Sequence, residues 1–292
     1  MSDGRLVVES FVGGSIVARS KEFEGLIGGT IESAQSAIAW AMSFTPAAAV
    51  LSIGIAGEMT PIQYRLWYEV GGGRELYARV MEPLGIVPVG GLFVLEPPEV
   101  WAFSTVPIES LADIKGLKIR LGNPGQREIF SRMGASTVFL PGDEIYESLS
   151  RGVIDAAEYL SLSLNWPVGF HEVADYLYLS PTRFPAGGSG FYVSKNAWEK
   201  LTPDLQLIVE KAAVCEPVRS YAEAIVREEE ALQNFIDYGT KVRNIPKEID
   251  DELVRVSTAY FDEQAAAEEP LYAEILESRR AFKQLCESQD IR

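Results

Sequence analysis

The spacing of apolar and polar positions predicts a chain that alternates between strand and helix periods. "RLVVESFV" (5–12) is β-branched and alternating and reads as a strand. "SKEFEGLIGGTIESAQSAIAWAMSF" (20–44) has a helical period that breaks at Gly28-Gly29 and resumes, and "AAVLSIGIA" (48–56) reads as a buried strand. "TPIQYRLWYEVGGGRELYARVMEPLG" (60–85) predicts helix, glycine break, helix, with "IVPVGGLFVL" (86–95) a strand after it. "SLADIKGLKIRLG" (110–122) is a loop running into a strand. "PGQREIFSRMGA" (124–135) follows as a helix with Pro124 in its first turn, a favoured place. "STVFLPG" (136–142) is a short strand, "GDEIYESLSRG" (142–152) a helix ended by Gly152, and "VIDAAEYL" (153–160) a strand.

This strand–helix–strand–helix–strand order is that of a parallel α/β unit. Functional groups in such sheets gather beyond the carboxyl ends of the strands. Arg120 closes "LKIR" there, and Glu158 and Tyr159 close "IDAAEY", so a cation and a carboxylate face one crevice. Further on, "GFYVS" (190–194) is a strand and "KNAWEKL" (195–201) a helix. Residues 202–239 form one long helix with Pro217 as the place for a bend and Gly239 closing it. "KVRNIP" (241–246) is a strand, and the rest is helix interrupted before Pro270.

Composition narrows the chemistry. The 292 residues, 47% of them apolar, are enough for two domains with packed cores. A net charge of −16 argues against a nucleic-acid or anionic-membrane partner. An anionic ligand would need a local cation, and Arg120 can supply it, because a planar guanidinium matches a carboxylate with two parallel hydrogen bonds. Cys215 and Cys286 have no metal-ligand or redox spacing and read as structural thiols in helices. The single histidine, His171, leaves no Ser/His/Asp triad and reads as a packing residue beside "NWPVGF". No uninterrupted apolar run is long enough for a membrane span. An acid/base enzyme built on Glu99 and Glu158 is the competing class, but the sequence has no nucleophile motif. "GGGREL" is a poor imitation of a phosphate loop.

Taken together, "DIKGLKIR", "FLPGDEIYESLSRGVIDAAEY" and "GFYVSKNAWEKLTPDLQLIVEKAA" resemble the DctP-type solute-binding proteins of tripartite ATP-independent periplasmic (TRAP) transporters. Upstream, "GGTIESAQSA", "WYEVGGGRELYARV" and "EPPEVWAFSTVPIESLADIKG" fit the subgroup resembling 2-oxo-acid binders. The resemblance implies a non-enzymatic, periplasmic, two-lobed α/β protein that closes on a small carboxylate and delivers it to TRAP membrane subunits. The expected lobes are 1–90 with 182–215, and 91–181 with part of 236–250. A connecting helix at 203–239 joins them, and the C-terminal helices at 247–292 offer a candidate homodimer surface.

The same resemblance implies that Arg120 binds the ligand carboxylate, with Asn123, Tyr159, Glu158 and Glu99 around the ligand. The subgroup often holds a metal ion beside the ligand, and Glu99 and Glu158 are the expected metal ligands here. Two carboxylates favour Ca²⁺, with Na⁺ as the alternative. Tyr159 stands where the subgroup commonly has tryptophan, and Glu99 where it commonly has glutamine. With one arginine at a strand end, the ligand expected is a 2-oxo or 2-hydroxy monocarboxylate such as pyruvate or lactate. The chain starts at "MSDGRLVV" without a leader pattern or the family's first strand and helix. Two expectations follow: Met1 is internal to a longer reading frame, or the chain is a degenerate or cytoplasmic ligand-responsive module that has lost export.

Overall fold

A computed structural model describes residues 1–52 and 55–291. Among these residues nine strands form: β1 (Ser33–Ser36), β2 (Ile86–Glu96), β3 (Ala102–Ser104), β4 (Lys118–Arg120), β5 (Ser136–Val138), β6 (Ala156–Ala157), β7 (Tyr176–Leu179), β8 (Gly187–Ser194) and β9 (Lys241–Asn244). They make two sheets. One is antiparallel, in the order β1-β8-β2; the other has six strands, in the order β5-β4-β6-β3-β7-β9. Within the second sheet β4 lies parallel to both β5 and β6, as the α/β reading requires, while β3 runs antiparallel to β6 and β7. The expected class, a two-lobed α/β binding-protein fold, is the one found.

The two sheets are bridged by chain crossings and by one helix. The segment after β2 leads into β3, and the segment after β7 leads into β8, so both pass from one sheet to the other. The helix Pro203–Tyr238 spans 36 residues and continues unbroken through the buried Pro217. At about 1.5 Å per residue that is about 54 Å, long enough to serve both sheets. Near its start Ala213 packs with Val89 and Val193 of the antiparallel sheet. Gly90, at φ +81°, leaves room for this: a Cβ there would stand 2.6 Å from that of Ala213. Near its end Phe235 packs on Phe103 at 5.6 Å between ring centroids, within the core that includes Phe170. Gly239 caps it in the left-handed conformation, the role its place in the sequence predicts. The helices Lys247–Ala267 and Pro270–Ser288 then return over the larger core, separated just before Pro270.

Three predicted elements are corrected. Residues 5–12 form no strand: Val7, Val8 and Val12 are 81%, 63% and 83% exposed. Alternation alone makes no strand without a neighbouring edge to pair with. The second half of the stretch 20–44 is not α-helix: it holds β1 and one short 3-10 helix, Ile38–Ala41. After the helix Glu22–Gly28 and the left-handed Gly29, the chain enters β1, where pairing with β8 decides the conformation. The buried strand expected at 48–56 begins instead as the helix Ala47–Ser52. Its consecutive alanines have high helix propensity, and the helix docks on Pro270–Ser288. Residues 53 and 54 of that stretch lie outside the described residues.

Candidate functional site

The parallel pair β4 and β6 puts Arg120 and Glu158 side by side, because Arg120 aligns with Ala157 in the register. Both are buried, at 6% and 5% exposure. Arg120 Nε donates to the Leu140 carbonyl at 2.9 Å, and Nη1 donates to the carbonyl and the Oε1 of Glu158, each at 3.0 Å. Nη2 has no hydrogen-bond acceptor among the described residues, so one edge of the guanidinium remains for a ligand. The Gly122 amide donates to the same Oε1 at 2.5 Å. Gly122 also leaves the face of the guanidinium uncovered, since a Cβ there would stand 3.2 Å from Nη2. Tyr159 lies 5.6 Å from Arg120 across its ring. It is seated against Gly142, where a Cβ would come 2.6 Å from the phenol oxygen, and against Phe170.

Asn123 is the N-cap of the helix Pro124–Arg132. Its Oδ1 accepts from the amides of Gly125 and Gln126, at 2.8 and 3.3 Å. That oxygen is therefore occupied in holding the helix start beside Arg120.

Glu99 enters from the crossing between β2 and β3, and meets Arg183, a residue the sequence reading did not single out. Arg183 comes from the opposite crossing, between β7 and β8, and is 1% exposed. Its Nε donates to the Val100 carbonyl at 3.0 Å, Nη1 to Gln126 Oε1 at 2.8 Å and Nη2 to Glu99 Oε2 at 2.6 Å. Nη2 is also 3.7 Å from Glu158 Oε2. Burial is the largest influence on Glu99 and pushes its carboxyl up, to about 8; Arg183 pulls it down, and Glu158 pushes it further up. Gln126, buried at 4%, keeps an Nε2 with no acceptor.

The five residues expected around the ligand divide into three parts. Arg120, Glu158 and Tyr159 form one cluster, Asn123 borders it through the helix start, and Glu99 joins through Arg183. The missed residues had only a faint signal. Arg183 stands in "SPTRFP", an arginine between prolines, and Gln126 follows the Asn-Pro-Gly break. A separate hollow of ≈ 480 Å³ at the β9 edge, lined by Leu232, Ile236 and Thr240 among others, shares no residue with this cluster. His171 is a packing residue, stacked on Trp166 at 4.3 Å.

Residues 1–268 match the family described as bacterial extracellular solute-binding protein, family 7, DctP. The chain is 26% identical over 285 residues to a monocarboxylate 2-oxoacid-binding periplasmic protein of Nostoc sp., spanning 97% of this chain and 76% of that protein. Two solved structures are also 26% identical. One is a TRAP transporter solute-binding protein from Bordetella bronchiseptica, a mixed-occupancy dimer with copurified calcium and picolinate in the active site. Its TM-score is 0.87 over 97% of this chain and 83% of that one. The other is a TRAP periplasmic solute-binding protein from Colwellia psychrerythraea with bound calcium and pyruvate, with a TM-score of 0.84 over 92% of this chain and 81% of that one. In both, calcium accompanies the ligand, as the resemblance implied for the subgroup.

Proposed function

The chain belongs to family 7 of the bacterial extracellular solute-binding proteins, and on that premise we propose that it is an extracytoplasmic receptor for a 2-oxo or 2-hydroxy monocarboxylate such as pyruvate or lactate. It would hand this ligand to the membrane subunits of a TRAP transporter. The family is one of solute binders, not enzymes, and among the described residues no helix is long and apolar enough to cross a membrane. The observation that carries the reading is Arg120: three of its hydrogen bonds go to Leu140 and Glu158, yet Nη2 stays without an acceptor beside the open face of Gly122. A ligand carboxylate fits that edge, with Tyr159 alongside and Asn123 at its border. A dicarboxylate would need a second free cation, and each nitrogen of Arg183 already has an acceptor. The Nostoc and Colwellia relatives support the ligand class.

In this reading the ligand lies between lobes formed by 1–90 with 182–215 and by 91–181 with part of 236–250. A second copy would dock on the helices at 247–292, the Bordetella relative being a dimer. The test is a thermal-shift and calorimetric screen of pyruvate, lactate, succinate and sugar acids. A ligand at 100 times its dissociation constant should stabilise the protein by about 2.7 kcal/mol. Preference for succinate over pyruvate and lactate would overturn the monocarboxylate reading, and silence toward every acid would overturn the receptor.

A further inference from the structure

The relatives with calcium raise a question about this chain's own side chains: do Glu99 and Glu158 leave a place for an ion? As folded they do not fit one. Glu99 Oε2 is taken by Arg183 Nη2 at 2.6 Å, and Glu158 Oε1 by Arg120 at 3.0 Å and the Gly122 amide at 2.5 Å. The remaining Glu158 oxygen, Oε2, faces Arg183 Nη2 at 3.7 Å. Calcium takes about six to eight oxygens at about 2.3–2.6 Å. Here the carboxylate oxygens are met by N–H donors, and a divalent ion between the two glutamates would sit against a guanidinium that cannot lose its charge. Among the described residues no group of three His, Cys, Asp or Glu side chains could hold a metal.

We propose that Arg183 is the fixed counter-cation of this site: its guanidinium stands between Glu99 and Glu158 where a bridging ion would, and the protein binds its carboxylate ligand without metal. The inference rests on the carboxylate reading above and names what completes that site. Its geometry is that of a built feature. Arg183 is almost fully buried and tied at every nitrogen, to Val100, Gln126 and Glu99. It lies on one crossing between the sheets and Glu99 on the other, so the pair also joins the two crossings. Two arginines already stand against the two glutamates before any ion is added. Gln126 agrees in sign. Its oxygen is held by Arg183 and its Nε2 donor is left unpaired, which suits a ligand oxygen and repels a cation.

The experiment is calorimetric titration of chelator-stripped protein with pyruvate and with lactate, in sodium-free buffer, with and without millimolar Ca²⁺ or Na⁺. The expected result is a dissociation constant that shifts less than twofold on adding either ion. A gain of tenfold or more with either ion overturns the inference and leaves the receptor standing. In the Arg183→Gln variant, affinity without ions should fall at least tenfold, and calcium should restore part of it; if that variant does not fold, the wild-type titration decides alone. Should neither acid bind under any condition, the monocarboxylate reading falls, and titration with calcium alone still decides about Arg183. Heat of binding together with a raised melting temperature would overturn the inference, and neither would support it.

Discussion

Arg120 and Glu158 are joined twice, through a backbone carbonyl and through a side chain, both at 3.0 Å from the same guanidinium nitrogen. One bond sets where the arginine sits along β6 and the other fixes its charge partner, so the guanidinium cannot swing away from the ligand edge. A lysine would keep the charge but has one nitrogen to meet Leu140, Glu158 and the ligand together. Arg120→Lys should fold, and should lose ligand affinity by about 2–5 kcal/mol, the range for truncating a buried charge-assisted pair. Calorimetry with pyruvate measures this, and an unchanged dissociation constant would remove Arg120 from the ligand's contacts.

Gly122→Ala tests the open face of the same guanidinium. The new methyl would stand 3.2–3.4 Å from Nη2, Nη1 and Cζ of Arg120, which is pinned by Leu140 and Glu158 and cannot yield freely. Overpacking of this kind costs about 1–3 kcal/mol. The expected outcome is a lower melting temperature with weaker ligand binding. Gly28→Ala serves as the control, because a Cβ there meets nothing within 4 Å. Equal ligand affinity in the two variants would mean that the face of Arg120 is not used.

The part of the site built on β4 and β6 was legible in the sequence because each strand is short, parallel and followed by its own helix or turn. Strand ends in that order carry Arg120, Glu158 and Tyr159 to one crevice by topology alone. Asn123 was legible as a polar residue at the mouth, but the helix after Pro124 claims its oxygen as a cap. Arg183 was not legible, since it lies in an irregular crossing and its partners, Glu99 and Gln126, come from two other segments. No local period encodes such a meeting. The failed strand at 5–12 and the helix at 47–52 share a cause: apolar stretches of that length fit either period, and the packing partner decides.

His171 predicts a pH effect with a defined sign. Burial against Trp166, Phe235 and Tyr238 pulls its pKa below the ordinary 6.5 and outweighs Glu172, which pulls the other way. The folded state therefore binds fewer protons here than the unfolded chain in the window just below 6.5. Stability from this group is present above that value and is lost as the pH falls through it. Glu99, Glu96 and Asp250, raised by burial, act in the opposite direction on acidification. The contribution of His171 is thus read by difference. His171→Phe should keep the ring stack and shift the change in melting temperature between about pH 7.5 and 5.5 toward stability, relative to the unsubstituted protein. A change of the same size in the variant would mean the histidine titrates as freely in the fold as in water.

The C-terminal helix depends on a further buried ion pair, and the asymmetry of such pairs makes it testable. Arg279, 3% exposed on Pro270–Ser288, donates through Nε to Glu58 Oε2 at 3.0 Å. Its Nη2 meets the same oxygen at 2.8 Å, Nη1 bonds the Val50 carbonyl, and the guanidinium lies 5.1 Å from the Tyr64 ring. One side chain therefore ties the last helix to the helix Ala47–Ser52, to the turn at Glu58 and to the helix Pro61–Val70. Arg279→Met keeps the length and leaves the Glu58 carboxylate buried without its cation, which should cost about 3–5 kcal/mol. Replacing both partners with apolar residues of similar size, Arg279→Met with Glu58→Leu, removes the stranded charge and should recover most of that loss. Urea unfolding of the single and double variants gives both numbers. If the double variant is no more stable than Arg279→Met alone, the stranded carboxylate is not the cause. The loss would then lie in the Val50 carbonyl and the Tyr64 contact, which neither variant restores.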